Sequence, residues 1–403
     1  MSFWLQRGQD LDGDGENDNF GSEVAISADG NTVVAGSPSG EGYVKVYDYD
    51  LQNAVWIQRG QNIVSDPNER FGISVDITAD GNTVIVGASH HNGAGNSRGK
   101  VQVYEWDAQN TVWEQRGQTI SGLSDNGNFG TDVSISSDGN IIAASAPIVN
   151  PGIVRVYEWN SGTEMWDQMD VDIVGESNPS SFGTSLALSS AGTTLIAGDP
   201  LNTDPDLLKG HARVFDWNSG SMMWEQRGAD IDGEATGDQS GISVDISADG
   251  NTVAIGAPLN TAGISTGHGH VRVYDWDTNS MTWVQRGQDI DGWAITNLSG
   301  SSVSLSADGN ILAVGAPGSG YPGNVRIYTW NEETEKWENL GKAIFGEGFS
   351  DQFGQSVSLS ADGKILAASA FGNDGETGEQ SGHVRVFLYA KEITINRYWQ
   401  SVL

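Results

Sequence analysis

The sequence contains no cysteine, which excludes disulfide frameworks, thiolate metal sites and cysteine nucleophiles. Basic residues are also scarce, since 20 Lys and Arg stand against 53 Asp and Glu and the formal net charge is −33. A surface this negative repels phosphate backbones and anionic lipids, so we expect no nucleic-acid partner. No apolar run approaches the ~18 residues of a membrane-spanning helix, and the N-terminal residues lack the pattern of a signal peptide. We therefore expect no membrane insertion.

Glycine, in contrast, is abundant: 54 of the 403 residues are glycine, and only 18% of the residues are charged. This balance is typical of turn-rich β proteins and argues against a helical bundle. A Trp-x-Gln motif, which reads Trp-x-Asn in its last copy, recurs at intervals of 52 to 59 residues and divides the chain into seven units. The tryptophans that begin these units are Trp4, Trp56, Trp113, Trp166, Trp224, Trp283 and Trp337.

Each unit contains four strand signals, which we name A to D in chain order. In the fifth unit, strand A is expected at Gly241–Ser247 and strand B at Thr252–Pro258, joined by an Asp-Gly hairpin turn. Strand C begins at His270, and strand D begins at the tryptophan of the next unit. Seven units of four antiparallel strands predict an all-β fold, a seven-bladed β-propeller formed by a single domain over residues 1–403. The repeats are expected at about 4–55, 56–112, 113–165, 166–223, 224–282, 283–336 and 337–403.

The sequence leaves open which end of the chain closes the ring. Seven strand A signals are matched by eight candidate D strands, because Trp399-Gln400 near the C-terminus adds one to the seven tryptophan motifs. Either the N-terminal or the C-terminal strand could therefore complete the last blade.

Two short motifs carry a family resemblance. Strand A opens with Phe-Gly in five units, as at Phe20-Gly21 and Phe71-Gly72, and strand B ends in Gly-Ala-Pro at 256–258 and 315–317. Over essentially the whole chain, this pattern resembles the FG-GAP repeat of the integrin α-subunit head. The resemblance implies a seven-bladed propeller that binds protein or carbohydrate ligands outside cells, often with calcium.

Residues that recur at one position of the repeat are expected to build the scaffold. This interpretation covers the repeated tryptophans and the Arg of the Trp-x-Gln-Arg-Gly segments, which we expect to pack between blades and to pair with carboxylates. His211, His270 and His383 share the first position of strand C and are interpreted in the same way. His268 and His270 together could offer two imidazoles to a transition metal, but the sequence shows no third ligand.

The loops divide between two faces of the expected propeller. Antiparallel order places the A–B and C–D turns on one face and the B–C and D–A connections on the other. The A–B turns are nearly identical copies, whereas the B–C loops vary in length and composition. Variable loops on a uniform scaffold are where proteins commonly bind ligands, so the B–C and D–A face is the expected binding face.

The D–A loops contain the strongest metal-binding pattern. In the first unit, acids alternate with other residues around two glycines, and oxygen ligands so spaced suit Ca²⁺. The family that the chain resembles places its calcium loop between strands A and B, where this chain has only a tight turn, so the prediction rests on ligand spacing. The alternative is a solvated loop whose acids cap turns and pair with arginine. The predicted ligands are Asp10, Asp12, Asp14 and Asp18 in the first unit and Asp230, Asp232, Glu234 and Asp238 in the fifth.

Three aromatic residues fall outside the repeat pattern and on the expected binding face. Trp293 lies in a D–A loop, and Tyr43 and Tyr321 lie in B–C loops. An exposed aromatic ring beside carboxylates and amides can stack on a sugar, so these residues are the candidate ligand-binding residues. The alternative is that each ring packs against a neighbouring loop.

The chain shows no nucleophile elbow, phosphate-binding loop, zinc-protease motif or dinucleotide fingerprint, so an enzyme, such as a polysaccharide-degrading one, is the less favoured reading. We expect an extracellular or cell-surface binding or adhesion module that recognises a glycan or a protein, stabilised by Ca²⁺. A structural protein that self-assembles into a lattice or fibre is the alternative. Binding of a glycan that is lost when Trp293 is replaced would favour the first reading, and concentration-dependent assembly would favour the second.

Overall fold

A computed structural model describes residues 2–176, 180–203, 208–261, 267–294, 296–318, 322–375 and 377–391. Within these residues the chain forms 35 β-strands in seven sheets and no helix. This part of the chain therefore has no helix long and apolar enough to cross a membrane. The seven sheets are the blades of a β-propeller, which confirms the fold expected from the repeat.

The strands follow one another in the same order in every repeat. The first 22 strands are β1 Ser2–Gln6, β2 Leu11–Asp12, β3 Val24–Ile26, β4 Thr32–Ser37, β5 Tyr43–Asp50, β6 Val55–Gln58, β7 Ile63–Val64, β8 Phe71–Ile77, β9 Thr83–Ala88, β10 Lys100–Asp107, β11 Val112–Gln115, β12 Ile120–Ser121, β13 Val133–Ile135, β14 Ile141–Ala146, β15 Ile153–Asn160, β16 Met165–Gln168, β17 Ile173–Val174, β18 Ser185–Leu188, β19 Thr194–Asp199, β20 His211–Asn218, β21 Met223–Gln226 and β22 Ile231–Asp232. The remaining strands are β23 Ser243–Ile246, β24 Thr252–Ala257, β25 His270–Asp277, β26 Thr282–Gln285, β27 Ile290–Asp291, β28 Ser302–Leu305, β29 Ile311–Ala316, β30 Asn324–Asn331, β31 Lys336–Asn339, β32 Ile344–Phe345, β33 Val357–Leu359, β34 Ile365–Ala370 and β35 His383–Lys391.

Each blade has four antiparallel strands in the expected order, with strand A innermost and strand D outermost. The first blade, for example, runs β3-β4-β5-β6, so that strand D comes from the beginning of the next repeat. A feature that the sequence did not predict is a fifth, two-residue strand that pairs with the start of strand C. In the first blade this is β7, whose Val64 pairs with Tyr43.

The N-terminal strand closes the ring. Strand β1 pairs antiparallel with β35, with Trp4 opposite Tyr389, and completes the sheet that contains β33 and β34. This settles the closure that the sequence left open. The competing candidate, Trp399, lies outside the described residues.

The hydrophobic core lies between consecutive blades. Strand B is buried on both faces, and all six residues of β4, β9, β19, β24 and β34 are buried. The glycines of the two short motifs meet where blades touch: a side chain on Gly36 would clash with the backbone oxygen of Gly72 in the next blade. Gly72 itself has a positive φ of 85°, a conformation that other residues adopt only with strain. Close blade packing therefore explains the paired glycines.

The repeated tryptophans and arginines join one blade to the next, as expected for scaffold residues. The indole nitrogen of Trp56 donates to the carbonyl oxygen of Arg7 at 2.7 Å, and the Arg7 guanidinium lies 3.8 Å from the centre of the Tyr49 ring. The pair Trp113 and Arg59 repeats this hydrogen bond at 2.9 Å. These contacts confirm that the repeated aromatic residues serve packing between blades.

Candidate functional site

The innermost strands enclose a central channel with a cavity of about 500 Å³. Four carboxylates reach this channel, namely Glu23, Asp76, Asp132 and Asp245, together with serines that alternate with apolar residues along the same strands. The sequence reasoning did not single out these acids. The alternation of polar and apolar residues along strand A is visible in the sequence. It does not show, however, which side of the strand faces the channel.

Three of the four channel acids accept hydrogen bonds from backbone amides of the next blade, whereas Glu23 accepts one from the Ser356 hydroxyl of the preceding blade. Asp132 accepts hydrogen bonds from the Ser74 hydroxyl at 2.9 Å and from the Leu186 amide at 2.7 Å, each in an adjacent blade. Asp76 accepts from the Ile135 amide at 2.8 Å, and Asp245 accepts from the Leu305 amide at 2.6 Å. Strand A is the inner edge of each sheet, so its amides have no strand partner on that side. The carboxylates supply that missing partner.

Burial in the channel raises the pKa of these carboxyl groups. The pKa of Glu23 is raised to about 8, those of Asp132 and Asp245 to about 7 and that of Asp76 to about 6. Removal of each carboxylate from water is the largest cause, and the hydrogen bonds that it accepts partly oppose the shift. The channel is therefore an acidic, proton-holding lining near neutral pH.

The four predicted ligands of the first D–A loop face different partners. The Asp14 carboxylate forms an ion pair with the Lys45 ammonium at 2.6 Å. The Asp18 carboxylate accepts hydrogen bonds from the Gly15 amide at 2.8 Å and from the Tyr43 hydroxyl at 2.7 Å. Asp10 accepts a hydrogen bond from the side chain of Gln6 at 2.6 Å.

Two further observations bear on the fit of calcium to this loop. The backbone of Asp12 pairs with His383 in the seventh blade, and its carbonyl oxygen accepts a hydrogen bond from the Lys45 ammonium at 3.4 Å. Among the described residues, Asp12, Asp14 and Asp18 do not form a cluster of three carboxylates with oxygens close enough for one ion. The arrangement does not fit a calcium cage made by this loop alone, because a lysine occupies the position of a cation at Asp14. Calcium binding here stays a prediction.

The four predicted calcium ligands of the fifth unit also contact different partners. Asp238 is buried and accepts hydrogen bonds from the Ala235 amide of its own D–A loop at 2.8 Å and from the Asn260 side chain of a B–C loop at 2.9 Å, so it holds these two loops together. Asp232 pairs through its backbone with His211. Asp230 and Glu234 join two different clusters, described next.

In the part of the chain that the structure describes, three equivalent clusters of one His and two acids lie between blades on the B–C and D–A face. In each cluster, one nitrogen of the histidine and one oxygen from each acid lie within 4.8 Å of one another. The histidine begins strand C, the Asp follows strand D of the same blade, and the Glu comes from the preceding D–A loop. The clusters are Glu176, His211 and Asp230; Glu234, His270 and Asp289; and Glu347, His383 and Asp10.

The histidines of these clusters are almost completely buried. His211 and His270 are 1% exposed, and the Nε2 atom of each has no hydrogen-bond partner within the described residues. Burial, together with the nearby Arg272, lowers the pKa of His270, and burial with Arg385 lowers that of His383 to about 4. These two imidazoles are therefore neutral near pH 7. The sequence reasoning assigned all three histidines to the scaffold and did not connect them to the acids.

The candidate ligand-binding aromatics have different surroundings. Trp293 is 54% exposed; its ring lies edge-on to Phe345 at 6.5 Å, and the Arg326 guanidinium lies 5.2 Å from its centre. Tyr43, contrary to its expected place in a loop, is the first residue of β5 and is 7% exposed, so its ring is not available for stacking. Its hydroxyl is used by Asp18. Tyr321 lies outside the described residues.

No protein-family model matches the chain, and no curated protein is similar to it in sequence. Solved structures, in contrast, share its architecture. A protein of Bacteroides uniformis, provisionally assigned as a 6-phosphogluconolactonase, aligns with a TM-score of 0.57 and 14% identity over 81% of this chain and 86% of its own. The WD40 repeats of RRP9 align with a TM-score of 0.58 and 12% identity over 96% of this chain and 100% of their own. At this identity the similarity shows the fold alone: the chain is a seven-bladed β-propeller.

Proposed function

We propose that the chain is a binding module that recognises a carbohydrate or protein ligand outside the cell or at its surface, without a catalytic step. The proposed binding face is the one formed by the B–C and D–A loops. The observation that carries the proposal is the exposed pair Trp293 and Phe345 on this face, with Arg326 against the tryptophan ring. The propeller fold is compatible with such a role, since propellers commonly bind ligands through the loops of one face.

Comparison with the other repeats supports a role for Trp293 beyond the scaffold. At the equivalent position, Glu234 lies 3.8 Å from Arg272, and Glu347 lies 3.3 Å from Arg385. An acid paired with arginine is therefore sufficient to join blades at this place. The sixth repeat has instead a tryptophan that leaves about half of its surface in water beside the exposed Phe345, so a ligand that covers the pair would bury apolar surface and gain affinity from it.

The chemistry of the site suits two classes of ligand. A tryptophan face can stack on the C–H groups of a sugar while a guanidinium binds hydroxyl groups. Tryptophan and arginine are also enriched among the residues that dominate protein interfaces. The proposal therefore keeps carbohydrate and protein ligands together, in agreement with the resemblance to FG-GAP repeats. Stabilisation by Ca²⁺ is part of the same proposal.

The test compares a Trp293→Glu variant with the wild type on glycan and extracellular-protein arrays, followed by calorimetric titration of the best ligand. Glutamate is the residue of the equivalent positions and can pair with Arg326, so the variant should keep its melting temperature. We expect at least a tenfold loss of affinity. Val64→Ala is the matched control, because exposed Val64 occupies in β7 the position of Phe345 in β32. Equal affinity of Trp293→Glu and wild type, or no ligand on either array, would contradict the proposal.

A second candidate function, self-assembly, is favoured by apolar residues on the outermost strands. Leu5 in β1 is 49% exposed, and Ile57 in β6 of the neighbouring blade is 53% exposed. Exposed apolar side chains on edge strands favour association between chains. Light scattering over a range of concentrations tests this candidate: wild type should assemble and a Leu5→Lys/Ile57→Lys variant should stay monomeric. A monomeric wild type at all concentrations would exclude it.

A further inference from the structure

We propose that the three clusters between blades, Glu176/His211/Asp230, Glu234/His270/Asp289 and Glu347/His383/Asp10, are binding sites for a divalent transition-metal ion such as Zn²⁺. These sites differ from the predicted calcium loop in two ways: they include an imidazole nitrogen, and their ligands do not come from one loop. Each takes one imidazole nitrogen and two carboxylate oxygens from three separate segments of the chain. The inference does not depend on the proposed ligand-binding function.

The first argument is the distance between the potential ligand atoms. Nδ1 of His211 lies 3.5 Å from Oδ2 of Asp230, and Nδ1 of His270 lies 3.7 Å from Oε2 of Glu234. These distances exceed those of normal hydrogen bonds, which are 2.7–3.2 Å. Two ligands that share a tetrahedral ion with bonds of ~2.0–2.2 Å stand roughly 3.3–3.6 Å apart. The first distance falls within this range, whereas the second, and the 3.8 Å between Nδ1 of His383 and Oδ2 of Asp10, are slightly longer; none of the three is a normal hydrogen bond.

The second argument is the state of the histidines. All three are buried, at 1%, 1% and 2% exposed side chain for His211, His270 and His383. The Nε2 atoms of all three lack a hydrogen-bond partner among the described residues. Nδ1 of each ring is the nitrogen that lies near a carboxylate of its cluster, at 3.5, 3.7 and 3.8 Å for His211, His270 and His383. A neutral imidazole that carries its proton on Nε2 directs the lone pair of Nδ1 at these acids, and a cation between them would accept that lone pair.

The third argument is that one acid of each cluster is held in place by a neighbour. The Gln of the Trp-x-Gln motif donates a hydrogen bond to one carboxylate oxygen, so that the other oxygen can turn toward the histidine. This occurs between Gln226 and Asp230 at 2.7 Å and between Gln285 and Asp289 at 2.7 Å. Gln6 binds Asp10 in the same way at 2.6 Å. Such outer contacts orient the ligands of metal sites.

Charge and access are also suitable. In the second cluster, Arg272 lies 3.8 Å from Glu234 and balances one negative charge, while Asp289 and the adjacent Asp291 line the same cavity of about 310 Å³. A divalent cation would compensate the charge that remains. The Glu234 side chain is 44% exposed, so an ion can enter from solvent. Imidazole with carboxylate favours zinc, nickel or copper over calcium, which takes oxygen ligands only.

The repeat supplies a control within the same chain. The residue that begins strand C is histidine in three blades, but it is Asn324 in the sixth blade, where the equivalents of the acids are Trp293 and Ala343. The fold thus accommodates asparagine at this position. His→Asn substitutions should remove a metal ligand without disturbing the blade.

The experiment titrates Zn²⁺ into the full chain, stripped with EDTA, in physiological salt with excess Mg²⁺, and measures stoichiometry by calorimetry. Wild type should bind three Zn²⁺ ions, His270→Asn two, and the triple variant His211→Asn/His270→Asn/His383→Asn none. Glu225→Gln, an exposed acid at the C–D side, should still bind three. No zinc binding by wild type, or unchanged stoichiometry in the triple variant, would overturn the proposal.

A second measurement keeps the proposal testable if the triple variant does not fold. Wild type loaded with Co²⁺ should show an imidazole ligand by X-ray absorption spectroscopy, and Asp289→Ala should lower the Co²⁺ stoichiometry by one. Alanine is the natural residue at the equivalent position 343. A spectrum with oxygen ligands only would overturn the assignment, as would competition by an equal concentration of Ca²⁺.

Discussion

The indole nitrogen of Trp4 donates a hydrogen bond to the carbonyl oxygen of Leu340 at 2.8 Å, across 336 residues of sequence. In the same blade the Trp4 ring packs against Tyr389, with ring centres 5.4 Å apart. The first strand of the chain is thereby joined both to the last strand of its own blade and to the blade before it. The ring is closed by this strand, which determines where the cluster with Asp10 and His383 forms.

Replacing Trp4 by alanine should therefore destabilise the whole propeller. The variant loses a partly buried aromatic contact and the closing hydrogen bond, which we expect to lower the free energy of unfolding by about 2–4 kcal/mol. Circular dichroism during heating measures the change. Trp399→Ala is the control and should unfold like wild type, since β1 already occupies the outer position of that blade. A larger loss of thermal stability in Trp399→Ala than in Trp4→Ala would contradict closure of the ring by β1.

The hydrogen bonds of the repeated tryptophans can be separated from their packing. Trp113 donates its indole N–H to the backbone carbonyl oxygen of Arg59, whereas buried Trp224 has no partner for its indole nitrogen within the described residues. Trp113→Phe should therefore cost about 1 kcal/mol more than Trp224→Phe. Chemical denaturation of both variants measures the difference. Equal losses would show that the hydrogen bond adds nothing to blade packing.

The channel carboxyl groups predict a fall in stability with rising pH. Their pKa values are raised on folding, to about 7 for Asp132 and about 8 for Glu23, so the folded state holds more protons than the unfolded chain between about pH 4 and pH 8. Stability from these groups is therefore present at about pH 4 and is lost as the pH rises through this window. Because the groups are only half-buried toward channel water, we expect a net drop in melting temperature of about 2–4 °C from pH 5 to pH 8.

Asp132→Asn isolates this effect from the general repulsion of a chain with a net charge of −33. The amide oxygen of asparagine can still accept the hydrogen bond from Leu186, but the residue does not titrate. The melting temperature of the variant should therefore depend less on pH than that of wild type. Glu225→Gln, which also removes one charge, should behave like wild type. An identical pH profile for Asp132→Asn and wild type would contradict a raised pKa.

The predicted calcium site can be tested through the residue that competes with it. Lys45 forms an ion pair with Asp14 and would have to leave for calcium to bind. We expect Ca²⁺ to raise the melting temperature of Lys45→Met more than that of wild type, and we expect Mg²⁺ to have no such effect. Adding Asp12→Ala and Asp14→Ala to the variant should abolish the response. No calcium response in Lys45→Met would remove this loop as a calcium site.

Much of the fold was predictable because its determinants are local. The Asp-Gly turns, the alternation in the strands and the tryptophan motifs each depend on neighbouring residues, and together they gave the number of blades and the order of the strands. Tyr43 shows the limit of this approach. Its position before strand C looked like a loop, but the short strand β7 pairs with it and extends β5, so the residue is buried. A two-residue strand is too short to recognise in the sequence.

The chemistry between blades could be decided only by the tertiary structure. Glu234, His270 and Asp289 are 36 and 19 residues apart, and the Asp10 of the third cluster reaches His383 only because β1 and β2 pair with β35. The sequence by itself determined the repeat, the blade and the face on which loops vary, since these follow from short-range turn and strand preferences. Which acid faces a histidine, a lysine or a neighbouring backbone amide was determined by the closing of the ring, because only then do segments from different repeats come within reach of one another.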